Sequence, residues 1–408
     1  VVIDYARFSC LNVNCTDHHA GEILISAITA GELFTAGDRI HSPLVLVDDG
    51  IILSIASQDS HTIPVGAQHW AFPGAILVPG FVDIHIHGAA GYDVMEANDA
   101  GLRRMTRFLA GRGVTSFLAT TVTADPSVLL DAVEKIAAQI LQWDASGAAR
   151  PVGIHLEGPC ISQLRRGVHP AKDIQNPSVE LFDRLQRAAG GTLKLITIAP
   201  ELPGALEVIR CAVARGVKVS IGHTDGTSDD ALAAIEAGAT HVTHAFNAMR
   251  PLEHRAPGVL GEALNNSKLS AEIIADGVHV NPSVVSIFLR CKGKKRAVLV
   301  TDAISATGMG SGRYKLGSFE VVVDGLHAES EGRLAGSVLT MDQAVRNVMK
   351  FAGWTLGDSV RLASENPAGV LGNDSLGVLR KGIPADIAVL SSVGEIQQCF
   401  VAGVPAIA

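Results

Sequence analysis

Between positions 76 and 301, short apolar runs rich in Val, Ile and Leu alternate with stretches whose apolar residues recur every third or fourth position. The first kind predicts strands at 76–87, 114–123, 152–157, 193–199, 217–223, 241–244, 269–275 and 297–301. The second kind predicts helices, among them 99–110, 127–142, 178–189, 205–215, 229–237 and 282–290. Eight strands separated by helices predict a TIM-like (β/α)8 barrel, whose chemistry belongs at the C-terminal ends of the strands.

The two ends of the chain read differently. Short strands are expected at 22–28 and 32–40, then in PLVLV and GIILSIA, joined through Asp48-Asp49-Gly50, a pairing that favours a tight hairpin. Beyond the eighth strand, the glycine-rich stretch 310–333 contains SFEVVVDG and predicts a hairpin ahead of a helix at 337–349. A helix at 359–371 and short strands at 386–390 and 398–401 follow. We expect a small β-sandwich domain made from residues 1–75 and 366–408, with the barrel, 76–365, inserted between its halves. Residues 1–20 show no period, and His18 and His19 read as loop.

Composition narrows the class of partner. With 408 residues, 47% of them hydrophobic, the chain can bury a large core. A net charge of -8 and a charged fraction of 18% leave no basic stripe, which argues against nucleic acid and acidic membranes as partners. No apolar run reaches the ~18 residues of a membrane span, and the N-terminal segment does not read as a signal peptide. The six cysteines are scattered without CxxC spacing, which predicts reduced thiols and a cytoplasmic setting.

The polar residues that interrupt this pattern sit where the barrel expectation needs them. His85 and His87 in PGFVDIHIHG are two positions apart, so in a strand they share a face and can hold one cation. Later strands end in Glu157 of HLEGP, His223 of IGHTDG, His244 of THAFNAM and Asp302 of VTDA. These residues converge only if the barrel closes, and nitrogen and oxygen donors of this kind suit Zn2+ or a similar first-row cation. Cys160 follows Pro159 in a loop and is left outside the site. His155 reads as a packed, hydrogen-bonded residue and Asp83 as an orienting one, while His61, His69, His241 and His327 receive no role.

HLEGP, GHTDG, THAFNAM, ADGVHV, VTDA and LAGS, in this order, resemble the N-acetylglucosamine-6-phosphate deacetylase branch of the amidohydrolase superfamily, over about residues 40 to 400. Strand four ends in TIAPE, without the bridging lysine of many superfamily members, so Glu157 takes the bridging place. The resemblance implies that Glu157, His223 and His244 hold the principal metal and that Asp302 is the catalytic acid and base. With His85 and His87 both present and Asp302 nearby, a second ion is expected, Zn2+ by preference, with Fe2+, Mn2+ or Co2+ as alternatives. His169, beside Val168, is expected at the acetamido carbonyl as the second catalytic residue. Substrate contacts are implied for Asn247, Ala248, Arg255, Asp276, Gly277, Val278 and His279, and for the loop of Leu334, Ala335 and Gly336. The implied reaction converts N-acetylglucosamine 6-phosphate to glucosamine 6-phosphate and acetate, and the implied assembly is a homodimer with Arg255 serving the neighbouring subunit. Two other readings remain at this point: a cyclic amidase or deaminase on the same fold, and a non-catalytic sugar-phosphate-binding protein.

Overall fold

The computed structural model describes residues 25–35 and 38–407, so His18, His19, Cys10 and Cys15 lie outside it. The apolar runs become β1 (Phe81–Ile86), β2 (Val114–Thr121), β3 (Arg150–Glu157), β4 (Leu193–Ile198), β5 (Lys218–Ile221), β6 (His241–Val242), β7 (Ser270–Ile274) and β8 (Ala297–Val300). They pair in parallel and in sequence order. Each is followed by a helix: α1 (Asp99–Ala110), α2 (Pro126–Leu141), α3 (Val179–Ala188), α4 (Ala205–Ala214), α5 (Ser228–Ala237), α6 (Gly258–Asn265), α7 (Pro282–Lys292) and α8 (Met341–Ala352).

The barrel closes between β8 and β1. The Asp302 N–H donates to His85 O at 2.9 Å and the His87 N–H to Ala303 O at 2.9 Å. Buried Asp83 ties the same seam by accepting from Thr301 Oγ1 at 2.5 Å. Its desolvated carboxyl is pushed up to about 7, although the Thr301 hydroxyl pulls in the opposite direction. Along β1, Val82, Ile84 and Ile86 are fully buried on the face opposite Asp83, His85 and His87. Each such aliphatic side chain contributes about 1.5–3 kcal/mol by leaving water.

Local sequence starts and stops the helices. Asn98 caps α1 through the Gly101 N–H, Thr227 and Asp230 form a reciprocal capping box on α5, and α2 and α7 each begin at a proline after a capping Asp125 or Asn281. The helix expected at 337–349 starts four residues later. Ser337 is instead held to the end of β8, its N–H donating to Asp302 O at 2.7 Å and its hydroxyl to Thr301 O at 2.6 Å.

The run 76–87 divides between two sheets. Gln68–Pro79 is one strand of the small sheet, the chain crosses at Gly80, and β1 starts at Phe81. The physical reason is pairing: Ile76 to Pro79 take Leu390 to Ile387 as antiparallel partners, leaving them no place in the barrel. The small sheet joins both chain ends. Ser26–Thr35 lies parallel to Gln68–Pro79 and antiparallel to Pro43–Asp48, and Ile387–Leu390 and Ile396–Val401 continue the other side. Hydrogen bonds from Ile52 N to Ile383 O and from Ala385 N to Gly50 O, at 2.9 and 2.8 Å, tie its far edge back to the C-terminal segment. That folding-over encloses a separate core containing Ile28, Leu33, Leu77, Ile387 and Phe400. The helix expected at 359–371 is two helices, α9 (Leu356–Ala363) and α10 (Glu365–Leu371), broken at Ser364.

The expected hairpin is a four-stranded antiparallel unit, Gly312–Leu316, Phe319–Asp324, His327–Ser330 and Arg333–Leu334. It is pinned over the C-terminal end of the barrel by Ser305 Oγ donating to Lys315 O (2.6 Å), Gly317 N to Asp93 Oδ2 (2.8 Å) and Arg333 Nη1 to Gly167 O (2.9 Å).

Candidate active site

Below the strand ends, the barrel interior is a polar layer satisfied by its own members. His155 Nε2 meets Thr197 Oγ1 at 2.8 Å, Thr197 meets Thr243 at 2.7 Å, and Thr243 meets Ser220 at 2.6 Å. Burial and the neighbouring His85 hold His155 well below its ordinary pKa, so it is neutral. This matches its expected packing role.

Above that layer, the expected ligands come together around Glu157. Its Oε1 lies 3.0 Å from His223 Nε2, 2.9 Å from His244 Nε2 and 3.4 Å from His85 Nε2. Its Oε2 lies 3.2 Å from His87 Nε2 and 3.5 Å from His169 Nε2. Asp302 Oδ1 completes a second group, 3.1 Å from His87 Nε2 and 3.5 Å from His85 Nε2. Glu157 therefore stands between two groups of donors. His223, His244 and Asp302 all have positive φ, at 48°, 23° and 50°. A left-handed backbone costs a non-glycine residue about 1–3 kcal/mol, and such strain concentrates at functional sites.

Hydrogen bonds fix which ring nitrogens carry protons. A backbone carbonyl can only accept, so Nδ1 of His87, 3.0 Å from Thr120 O, and Nδ1 of His223, 2.9 Å from Arg165 O, are donors. In their neutral, ligating form both rings turn the Nε2 lone pair toward Glu157. His169 is the reverse case: its Nδ1 accepts the Thr123 N–H at 3.1 Å and faces Thr123 Oγ1 at 2.8 Å, so its Nε2 carries the proton and donates.

This arrangement fits a divalent cation. Ligands 2.0–2.1 Å from a tetrahedral Zn2+ stand roughly 3.3 Å apart. The Glu157, His223 and His244 atoms form a triangle with sides of 2.9, 3.0 and 3.1 Å, a contraction of a few tenths of an ångström. His85 Nε2 is buried with no hydrogen-bond partner and faces the Glu157 and Asp302 carboxylates at 3.4 and 3.5 Å, a donor set that suits a cation. Burial opposes charge on His85, yet Glu157, Asp302 and Glu272 raise its pKa well above the ordinary value. His87 is raised to about 9, its burial outweighed by Asp302 and Glu157. The carboxylates draw in protons where a cation would supply the same charge. His223 goes the other way, to about 4, chiefly through burial, which keeps it a neutral ligand. Asp302, despite burial, is lowered by His85 and His87 and stays ionised.

Except for fully buried His85, these groups line a cavity of about 170 Å³ together with Val122, Val168, Asn247, Ala248, His279, Leu316, Leu334 and Gly336. Of the expected segment from Asp276 to His279, only His279 lines the cavity. Asp276 shapes the loop, accepting the Val278 and His279 N–H groups at 2.8 Å and meeting His279 Nδ1 at 2.7 Å, while Gly277 and Val278 carry the turn. Ala335 is buried beside the cavity without lining it. Arg255 is exposed and does not line the cavity of its own chain.

Sequence reading missed four contributors. Val122 and Leu316 form apolar wall, and nothing distinguishes them from core residues in the sequence. Glu272, fully buried on β7, was visible as an acidic residue inside the otherwise apolar strand SAEII. His241, given no role, donates to Glu272 through Nε2 at 3.0 Å. A larger cleft of about 750 Å³ lies between the small sheet and α9, near Pro79 at the other end of the barrel. Its ion pairs, such as Arg39 with Glu32, are partly solvated, and none of the strand-end histidines and carboxylates lines it.

A closed (β/α)8 barrel with two imidazole–carboxylate groups at its strand ends defines a metal-site hydrolase architecture, and the chain belongs to the amidohydrolase family, whose model matches residues 76–405. Among its relatives, N-acetylglucosamine-6-phosphate deacetylase of Bacillus subtilis (strain 168) is 37% identical over 371 residues, 89% of this chain and 92% of the relative. N-acetylgalactosamine-6-phosphate deacetylase of Escherichia coli O157:H7 is 36% identical over 92% of this chain and 98% of its own. A solved N-acetyl-D-glucosamine-6-phosphate deacetylase mutant from Mycobacterium smegmatis, in complex with N-acetyl-D-glucosamine-6-phosphate, superposes with a TM-score of 0.88 at 34% identity. The match covers 94% of this chain and 100% of that one.

Proposed function

We propose that this chain hydrolyses the acetamide of N-acetylglucosamine 6-phosphate, giving glucosamine 6-phosphate and acetate. The observation that carries the reading is the convergence of Glu157, His223, His244, His87 and Asp302 on one cavity that also receives the protonated Nε2 of His169, with buried His85 directly behind Glu157 and Asp302. Membership of a metal-dependent family and relatives that act on hexosamine phosphates support it.

In this reading Glu157, His223 and His244 would hold one ion, and His85, His87 and Asp302, beside Glu157, would hold a second, Zn2+ being preferred. A divalent ion bound there lowers the pKa of water toward ~7 and polarises a carbonyl. Asp302, ionised and inside the cavity, accepts the proton of the attacking water and passes it to the departing amine. The new C–O bond replaces the broken C–N bond, and one water is consumed. His169 donates from Nε2 to the carbonyl oxygen as negative charge develops there.

His279 supplies a cationic partner for the phosphate. Burial opposes its charge, but Asp276 prevails and raises its pKa. No lysine or arginine lines the cavity among the described residues. We therefore keep the homodimer as part of the reading, with exposed Arg255 reaching the phosphate of a neighbouring copy, where its planar fork suits a phosphate. A cytoplasmic setting is supported by Cys160, Cys211, Cys291 and Cys399 being unpaired.

The test is acetate and free-amine release from N-acetylglucosamine 6-phosphate by protein supplied with Zn2+, with N-acetylgalactosamine 6-phosphate in parallel. Asp302→Asn is expected to lower kcat by ~10²–10⁴-fold, the usual worth of a positioned proton carrier. Turnover of the galacto epimer alone would move the substrate assignment. Ammonia release or ring opening of cyclic amides without deacetylation would refute the reaction.

A further inference from the structure

Glu272 has no place in the reaction above, yet both of its carboxylate oxygens are engaged inside the barrel. It sits in the middle of β7 with no exposure to solvent. Its Oε2 faces His85 Nδ1 at 3.0 Å and accepts the His244 backbone N–H at 3.0 Å. Its Oε1 faces His241 Nε2 at 3.0 Å. Its own carbonyl accepts the Ala245 N–H at 2.9 Å. One residue on β7 thus reaches β1 across the lumen and grips the end of β6 by side chain and main chain together.

The two contacts of Oε2 do different things. An ionised carboxylate can only accept, so its contact with His85 keeps a proton on Nδ1, and in the neutral, ligating ring this leaves the Nε2 lone pair aimed at Glu157 and Asp302. The contact with His244 is to the backbone of a residue held at φ +23°. That conformation presents the His244 ring to Glu157, and the hydrogen bonds to Glu272 on either side of it, from His244 N and Ala245 N, hold the turn in place.

We propose that Glu272 is a positioning residue that serves both donor groups at once, fixing the proton and orientation of His85 in one and the backbone turn of His244 in the other. This rests on the metal-site reading but not on the identity of the substrate. A carboxylate that merely filled the core would stabilise the fold and leave metal affinity untouched. A positioning carboxylate links the two, because the ligands lose their aim when it is neutralised.

The test uses full-length protein stripped with a chelator and titrated with Zn2+ against a chromophoric competitor, and with Co2+ for its visible spectrum. Glu272→Gln keeps the shape and removes the charge; it is expected to weaken Zn2+ binding by ~10–100-fold, the usual effect of losing a partner behind a ligand, and to change the Co2+ spectrum. His241→Asn leaves every ligand and Glu272 in place and loosens only the anchor on Oε1, and a smaller shift in the same direction is expected. Glu272→Gln that folds and binds Zn2+ with unaltered affinity and Co2+ with an unaltered spectrum overturns the assignment, whatever happens to its thermal stability. Should that variant not fold, His241→Asn decides: folded protein with unchanged Zn2+ affinity and Co2+ spectrum overturns it. Wild-type protein that takes up no Zn2+ overturns the metal reading and this assignment with it, whereas wild-type protein that binds Zn2+ but spares every hexosamine phosphate overturns only the proposed substrate.

Discussion

His169 and His244 compete for one place beside Glu157 and His223, and replacing each in turn separates two chemistries. Both rings approach Glu157, His244 at 2.9 Å from Oε1 and His169 at 3.5 Å from Oε2. The Thr123 N–H, 3.1 Å from His169 Nδ1, settles the tautomer, because a nitrogen that accepts this bond leaves the proton on Nε2, and a protonated nitrogen is no ligand. His169→Ala should therefore keep its metal. Its loss is that of one donor to the developing oxyanion, about 2.7–4 kcal/mol, or ~10²–10³-fold in kcat, with KM little changed. The same substitution leaves the buried Thr123 N–H unpaired and should lower stability by ~1–3 kcal/mol. His244→Ala should instead lose bound metal. Metal content by mass spectrometry, steady-state acetate release and denaturant melts measure the three effects. A His169→Ala protein that loses metal, or that turns over within about threefold of wild type, refutes the assignment.

Three further outcomes are expected. His85→Gln combined with His87→Asn should remove one of two metals and leave the other; loss of all metal would return the pair to the centre of the site. His279 has its folded pKa raised, by Asp276 acting against burial, so its contribution to stability is full below its unfolded value of about 6.5 and is lost as pH rises through the higher folded value. In metal-stripped protein, Asp276→Asn should abolish that stability advantage at low pH, and equal melting differences at pH 6 and pH 9 would contradict it. Arg255→Ala should raise KM for the phosphorylated substrate, and mixing it with Asp302→Asn protein should restore part of the activity if Arg255 acts on a neighbouring copy; no restoration would place Arg255 elsewhere.

The site was legible where chemistry follows periodicity. HxH on a strand, and Glu, His, His and Asp at later strand ends, need only alternation and the barrel rule, and all six converge within the 2.9–3.5 Å contacts described. Pairing between distant segments was not legible. Nothing in 76–87 says that its first four residues prefer partners near 387, or that Ser337 stays with β8 instead of opening α8. The helix α6 escaped because Gly258 and Gly261 interrupt a stretch of only eight residues. Glu272 was a readable anomaly without a readable partner, since His85 lies 187 positions away.

The small sheet makes the order of synthesis matter. Its strand Gln68–Pro79 can pair with Ser26–Thr35 as soon as both are made, but its other neighbour, Ile387–Leu390, lies beyond the whole barrel in the chain. Gly80 alone separates that strand from β1, so the first barrel strand leaves the ribosome attached to a sheet with one open edge. An unpaired edge is a template for the wrong partner. The sheet closes only after the whole barrel has been extruded, because β8 ends at Val300, well before Ile387. The C-terminal strands thus act as a latch set last, and a chain truncated before Ile387 would leave Gln68–Pro79 with an open edge.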